Sequence, residues 1–211
     1  MSRLVVLTGM AAVAAVIAVA DQITKAWAEH NLTELEPQPF LGEVLQLTLL
    51  YNSGAAWGMG AGITPVVTCL QMVIVTGVVI FAVRAVRSLW YTLALGLILG
   101  GALGNIHDRL LRDPGPFRGE VVDFLELPNW PVFNVADMGV VGGAILIVLL
   151  GVLGHAADPA EAEARAGAER AETSPSAVDG PSSEDGPSTD DRPSTQDRPS
   201  TDDASPTEDP R

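Results

Sequence analysis

Cysteine is all but missing from the 211 residues: Cys69 stands alone, so the chain can close no internal disulfide and build no cysteine-based metal site. Cys69 lies inside a charge-free run, far from water and from the three histidines, which argues for a small buried apolar residue and against a catalytic thiol. HExxH, GxSxG and paired zinc-ligand spacings are also absent, so no motif points to zinc or serine hydrolysis; no metal and no cofactor are expected. With a net charge of −14 the chain lacks the basic footprint of a nucleic-acid partner, and none is expected.

Large apolar residues are scarce after residue 155. Residues 156–211 hold 15 of the 26 acidic groups and 5 of the 12 basic ones, and repeat a six-residue unit, DGPSSE, DGPSTD, DRPSTQ, DRPSTD. Such a segment buries too little apolar surface to offset chain entropy, and its prolines interrupt helix and ladder alike, so 156–211 is expected to be a disordered acidic tail whose partners are unknown. Residues 1–155 form the other unit.

In that unit charge is what is missing. Leu4–Ala20, Ile63–Val83, Ser88–Ile106 and Met138–Gly154 carry none. A helix needs ~20 mostly apolar residues to cross ~30 Å of hydrocarbon, and tilt accommodates the shorter windows, so the expected fold is an all-α membrane bundle of four spans. Four crossings put both termini on one side. Arg3, Arg84 and Arg87 flank the spans on that side and mark it as cytoplasmic, although Lys25, Arg109, Arg112 and Arg118 then fall outside, against the rule unless acidic neighbours or a site employ them. Arg3, the apolar run and "AVAD" at 18–21 also resemble a signal peptide cleaved after Ala20; the run is longer than usual for that role and continues into the helix-compatible "DQITKAWAEH".

Between spans one and two, Leu45, Leu47, Leu49 and Tyr51 alternate with Gln46 and Thr48, which predicts a half-buried strand, a glycine-rich turn after it, and a small sheet at the outer surface. Asn52 follows the strand, where asparagine commonly holds a turn.

What is present gathers at the outer mouth of the bundle: Asp21 and Lys25 after span one, Asn52, then Asn105, Asp108 and Arg109 at the end of span three, and Asp123, Asn134 and Asp137 before span four. Asp21 and Lys25 are i, i+4, and Asn105, Asp108 and Arg109 are i, i+3, i+4, so each set shares a helix face and can pair charges across a turn. Capping and snorkelling account for such residues singly. Nine on one side of a bilayer point to a site.

Asp123, in "GEVVDFLEL", and Asp137, in "FNVAD", have no obvious local cation. Asp137 alone reads as the N-cap of span four, where a carboxylate complements the helix dipole. If the intervening loop folds the two together, they cannot both ionise cheaply: one keeps a proton while the other takes one from water, and the pair can attack a peptide carbonyl and protonate the leaving nitrogen. The alternative is a small proton-coupled transporter or channel subunit with Asp108, Asp123 and Asp137 as relay, but spans one, two and four have no ionisable residue at mid-depth.

"DQITK" at 21–25, "NSGAAWG" at 52–58, "GNIHDR" at 104–109, "VVDF" at 121–124 and "FNVAD" at 133–137 resemble, in order, the blocks of the lipoprotein signal peptidase (signal peptidase II) family over about residues 4–154. The resemblance implies a bacterial aspartic endopeptidase, multi-pass in the plasma membrane among its lipids, with both termini cytoplasmic and the active site at the outer face. Its substrates would be diacylglyceryl-modified prolipoproteins, cut just before the modified cysteine. Asp123 and Asp137 match the catalytic pair. Asn52, Asn105, Arg109 and Asn134 match site-supporting positions, with Asp108 among them in "GNIHDR", and Asp21 and Lys25 match a polar pair ending the first span. Trp57 departs from the phenylalanine of many members, and the tail lies outside the pattern.

Overall fold

A computed structural model of the chain describes residues 1–42, 44–54 and 63–173. The turn after the strand, including Trp57, and the repeats after 173 lie outside the described residues.

The four charge-free windows are four helices, α1 (Arg3–Asn31), α2 (Thr64–Ala85), α3 (Leu89–Leu111) and α4 (Val135–Val152), each long and apolar enough to cross a membrane. At ~1.5 Å per residue α1 is ~43 Å long, more than the hydrocarbon needs. Asp21 and Lys25 lie in the latter half of this one unbroken helix. Val6, Met10 and Ala14 of α1 belong to the bundle core with Leu95, Leu99 and Leu150, so the first span is part of the packed protein.

α3 is the central helix, buried along most of its length, with α1 and α4 against it; α2 packs more lightly on α3 and α1 and turns most of its surface outward. Lipid is as apolar as the core, so helices here associate by close backbone approach. A β-carbon added to Gly101 would stand 2.1 Å from the Ala136 carbonyl oxygen, and one on Gly104 2.6 Å from Asp21 Oδ2. Those two glycines seat the start of α4 and the acidic end of α1 directly on α3.

Three antiparallel strands form the sheet in the order β1 (Gln38–Leu41), β2 (Leu45–Asn52), β3 (Val121–Glu126). Leu47, Leu49, Val122 and Phe124 pack with Ala28 and Leu32, so the sheet rests on the end of α1. In the β2–β3 register Leu50 faces Asp123 and Asn52 faces Val121.

Two expectations change. Cys69 is exposed on the outward surface of α2, because that helix is mostly unburied. Residues 159–173, at the start of the segment expected to be disordered, form a helix, α5 (Pro159–Thr173). "PAEAEARAGAERAET" is rich in Ala, Glu and Arg, proline suits a first helical turn, and Asp158 accepts from Ala160 N at 3.1 Å as a cap.

Candidate active site

The chain from Asp123 to Asp137 folds back on itself. After β3 it turns at Leu127–Trp130, and Phe133 pairs with Leu125, donating its N–H to the Leu125 carbonyl at 2.9 Å and accepting the Leu125 N–H at 2.8 Å. That return delivers Asn134 and the first turn of α4 to the middle of β3.

Asn134 is the N-cap of α4. Its Oδ1 accepts from Asp137 N at 3.0 Å, and Asp137 Oδ2 accepts from Asn134 N at 3.2 Å, a reciprocal capping box. Asp137 is thus the third residue of the helix and not its cap, a correction that the Asn-x-x-Asp spacing explains. Asn134 Nδ2 donates to Asp123 Oδ1 at 2.6 Å, Asn52 Nδ2 donates to Asp123 Oδ2 at 2.9 Å, and Asn105 Nδ2 donates to Asp137 Oδ1 at 2.9 Å. All four carboxylate oxygens of the two aspartates therefore accept an N–H, and the amides come from β2, α3 and the α4 cap. Asn52 also does what a turn asparagine does, accepting from Gly54 N at 2.9 Å. Its reach to Asp123 is a diagonal cross-strand contact set by the register.

Asp123 is 2% exposed. Burial, reinforced by the negative charge of Asp137, pushes its carboxyl up to about 7, against the pull of the Asn52 and Asn134 amides and of Lys25. A carboxyl there holds a proton near neutral pH, which is what a general acid needs.

Beneath the asparagines lies a fully buried ion cluster. Lys25, 0% exposed, bridges Asp21 at 2.8 Å and Asp108 at 2.7 Å and donates to Asn105 Oδ1 at 2.9 Å. The expected Asp21–Lys25 pair is present, but its second anion comes from another helix. Asp21 Oδ1 accepts from Ala136 N at 2.9 Å, satisfying a further free N–H of the first turn of α4. Asp108 pairs with Lys25 and with Arg112 at 2.9 Å, not with its neighbour Arg109. Arg109 instead donates to the carbonyls of Asn52 at 2.9 Å, Gly119 at 3.0 Å and Gly54, clamping the ends of two loops. Gln22, which donates to Asp21 and Asp108 at 3.1 Å each, was not singled out in the sequence, because its reach to Asp108 is tertiary; Arg112, noted there only as a basic residue on the outer side, meets the acidic neighbour that employs it in Asp108, one helical turn back.

Asp123 and Asp137 border one cavity of about 460 Å³, with Asn52, Asn105 and Arg109 at its polar end and Val67, Gln71, Trp130, Pro131, Val132, Phe133 and Val141 around the rest. All nine sequence candidates are thus in or directly behind one wall. The arrangement places two amide-held carboxyls of unlike surroundings at the edge of an apolar chamber.

Residues 13–153 match the family model described as Signal peptidase (SPase) II. The chain is 48% identical over 143 residues to the lipoprotein signal peptidase of Mycobacterium avium (strain 104), spanning 68% of this chain and 78% of that protein. It is 49% identical over 142 residues to that of Mycobacterium tuberculosis (strain ATCC 25618 / H37Rv), spanning 67% and 70%. A solved structure described as a bacterial membrane enzyme, determined by the in meso method at 2.3 Å resolution, superposes with a TM-score of 0.62 at 29% identity over 68% of this chain and 87% of that one.

Proposed function

The chain belongs to the signal peptidase II family, and from that premise we propose that it is an aspartic endopeptidase in which Asp123 and Asp137 activate water. It is a multi-pass membrane protein that removes signal peptides from prolipoproteins. The observation that carries the aspartic assignment is the amide-bridged pair: Asn134 donates to Asp123 at 2.6 Å while capping the helix of Asp137.

In the proposed step the ionised carboxyl of the pair takes a proton from water as the water oxygen bonds to the scissile carbonyl carbon. The protonated carboxyl then delivers its proton to the leaving nitrogen as the C–N bond breaks. The products are a signal peptide with a new carboxyl terminus and a lipoprotein with a free amine. Asn52, Asn105 and Asn134 hold the carboxyls, Asp21, Lys25 and Asp108 brace the start of α4, and Arg109 secures the loops. For a substrate carrying a diacylglyceryl-modified cysteine, acyl chains would stay in hydrocarbon while the cavity receives the peptide bond.

We place the cavity at the outer face and both termini in the cytoplasm. Three basic residues that contradicted this orientation are employed: Lys25 and Arg112 by carboxylates, Arg109 by loop carbonyls. The transporter alternative has no support, since the family is a peptidase and Asp108 is held between two cations.

The decisive experiment incubates wild type, Asp123→Asn and Asp137→Asn in detergent with a diacylglyceryl-modified prolipoprotein. Wild type should release the signal peptide, and each variant should lose at least ~10²-fold in turnover while staying folded. A folded Asp137→Asn protein cutting at the wild-type rate would remove the aspartic mechanism.

A further inference from the structure

Cutting a peptide at the border of the hydrocarbon sets a requirement that the carboxyl pair does not meet. Around the scissile bond the substrate must be extended, so backbone N–H groups leave their helical partners where water is scarce, and each unpaired one is costly. The cavity must then offer acceptors. Several of its acceptors are already engaged: the Asn52 and Gly54 carbonyls accept from Arg109, Asn105 Oδ1 from Lys25, and the Asp123 and Asp137 carboxyls from asparagine amides.

Gln71 is a lining side chain whose acceptor is left over among the described residues. It lies on α2, seven residues past Thr64 and so ~10 Å along the helix from its outer end. It lines the cavity one turn beyond Val67, and apolar Val67, Val121, Val132 and Val141 share that lining. The hydroxyls of Thr68 and Thr76 donate to carbonyls of their own helix at 2.9 and 2.8 Å, as threonines in apolar spans do. Gln71 Oε1, by contrast, is buried and receives no hydrogen bond among the described residues. An unpaired buried acceptor is destabilising unless something arrives to use it.

We infer that Gln71 is a positioning residue for the substrate: its Oε1 accepts a backbone N–H of the extended segment beside the cleavage point and holds that segment against Asp123 and Asp137. The inference rests on the peptidase reading. An acceptor oxygen selects the peptide portion of the substrate, since ester and acyl groups of a lipid have no N–H to donate.

The test uses the full chain in detergent, as wild type, Gln71→Met and Gln71→Leu, with a diacylglyceryl-modified prolipoprotein peptide and analogues methylated at one backbone nitrogen at a time near the cleavage site. Both variants keep an apolar wall, remove no bond within the protein and relieve an unpaired acceptor, so their thermal midpoints should equal or exceed that of wild type. KM should rise about 3–10-fold in both, with kcat within about twofold. One methylated position should raise KM for wild type by a similar factor and add nothing in the variants, as coupled partners do. Unchanged KM in the folded variants, a loss confined to kcat, or methylation costs equal in variant and wild type would each overturn the role of Gln71. Failure of wild type to cut any peptide would instead overturn the peptidase reading.

Discussion

Asn134 holds Asp123 with its amide nitrogen at 2.6 Å and the backbone of Asp137 with its amide oxygen at 3.0 Å, so one side chain ties the Asp123 carboxyl to the helical turn that carries Asp137. Its two halves can be separated. Asn134→Ser should keep the cap, leave thermal stability within ~1 kcal/mol, and still lower kcat about 10–100-fold by freeing Asp123. Asn134→Ala should lose both, with a further ~1–2 kcal/mol of destabilisation. Equal turnover in wild type and Asn134→Ser, read by single-turnover cleavage, would show that the bond to Asp123 has no catalytic weight.

The raised carboxyl of Asp123 gives a pH dependence with a definite sign. With one proton on the pair as the competent form, kcat/KM should fall tenfold per unit as pH rises beyond about 7 and that proton is lost. Asn52 donates to the charged form of Asp123, so Asn52→Ala should move the falling limb to higher pH. A limb that stays put or moves down in a pH–rate profile of this variant would contradict the assignment.

Lys25 neutralises Asp21 and Asp108 where none of the three is exposed. Lys25→Met leaves buried Asp21 without a cation and Asp108 with Arg112 alone, and should cost about 3–5 kcal/mol. Combining it with Asp108→Asn should recover part of that loss. Thermal unfolding in detergent measures both; additive losses would mean that the groups do not interact.

Orientation is open to labelling. With Cys69 replaced, a cysteine at Gln38 on exposed β1 should react with a membrane-impermeant reagent from outside the cell, and one at exposed Glu161 on α5 should not. The reverse pattern would turn the cavity towards the cytoplasm.

The spans were legible because charge-free runs follow directly from what hydrocarbon excludes, and β2 because it alternates. β1 was not: it is four residues long and includes Pro39. β3 was missed because "VVDFLE" is buried through its first four residues and so does not alternate. The nine site residues could be gathered on one side of the membrane from sequence alone, yet not their pairings. That Lys25 would choose Asp108, that Arg109 would take carbonyls, and that Gln71 would face the cavity depend on how α1, α2 and α3 turn against one another. The capping box was readable and went unread because Asp137 alone already suited a helix start.

The first turn of α4 is fastened to three earlier elements: Asp21 of α1 takes Ala136 N, Asn105 of α3 takes Asp137, and Asn134 reaches into β3. Synthesis runs from the N-terminus, so a nascent chain whose fourth helix has not yet entered the bilayer possesses Asp123 but no partner for it. On the proposed mechanism such a chain is inert. Proteolytic capacity then switches on in a single event, when the last helix docks, and a molecule that stalls or inserts wrongly stays harmless to the membrane around it.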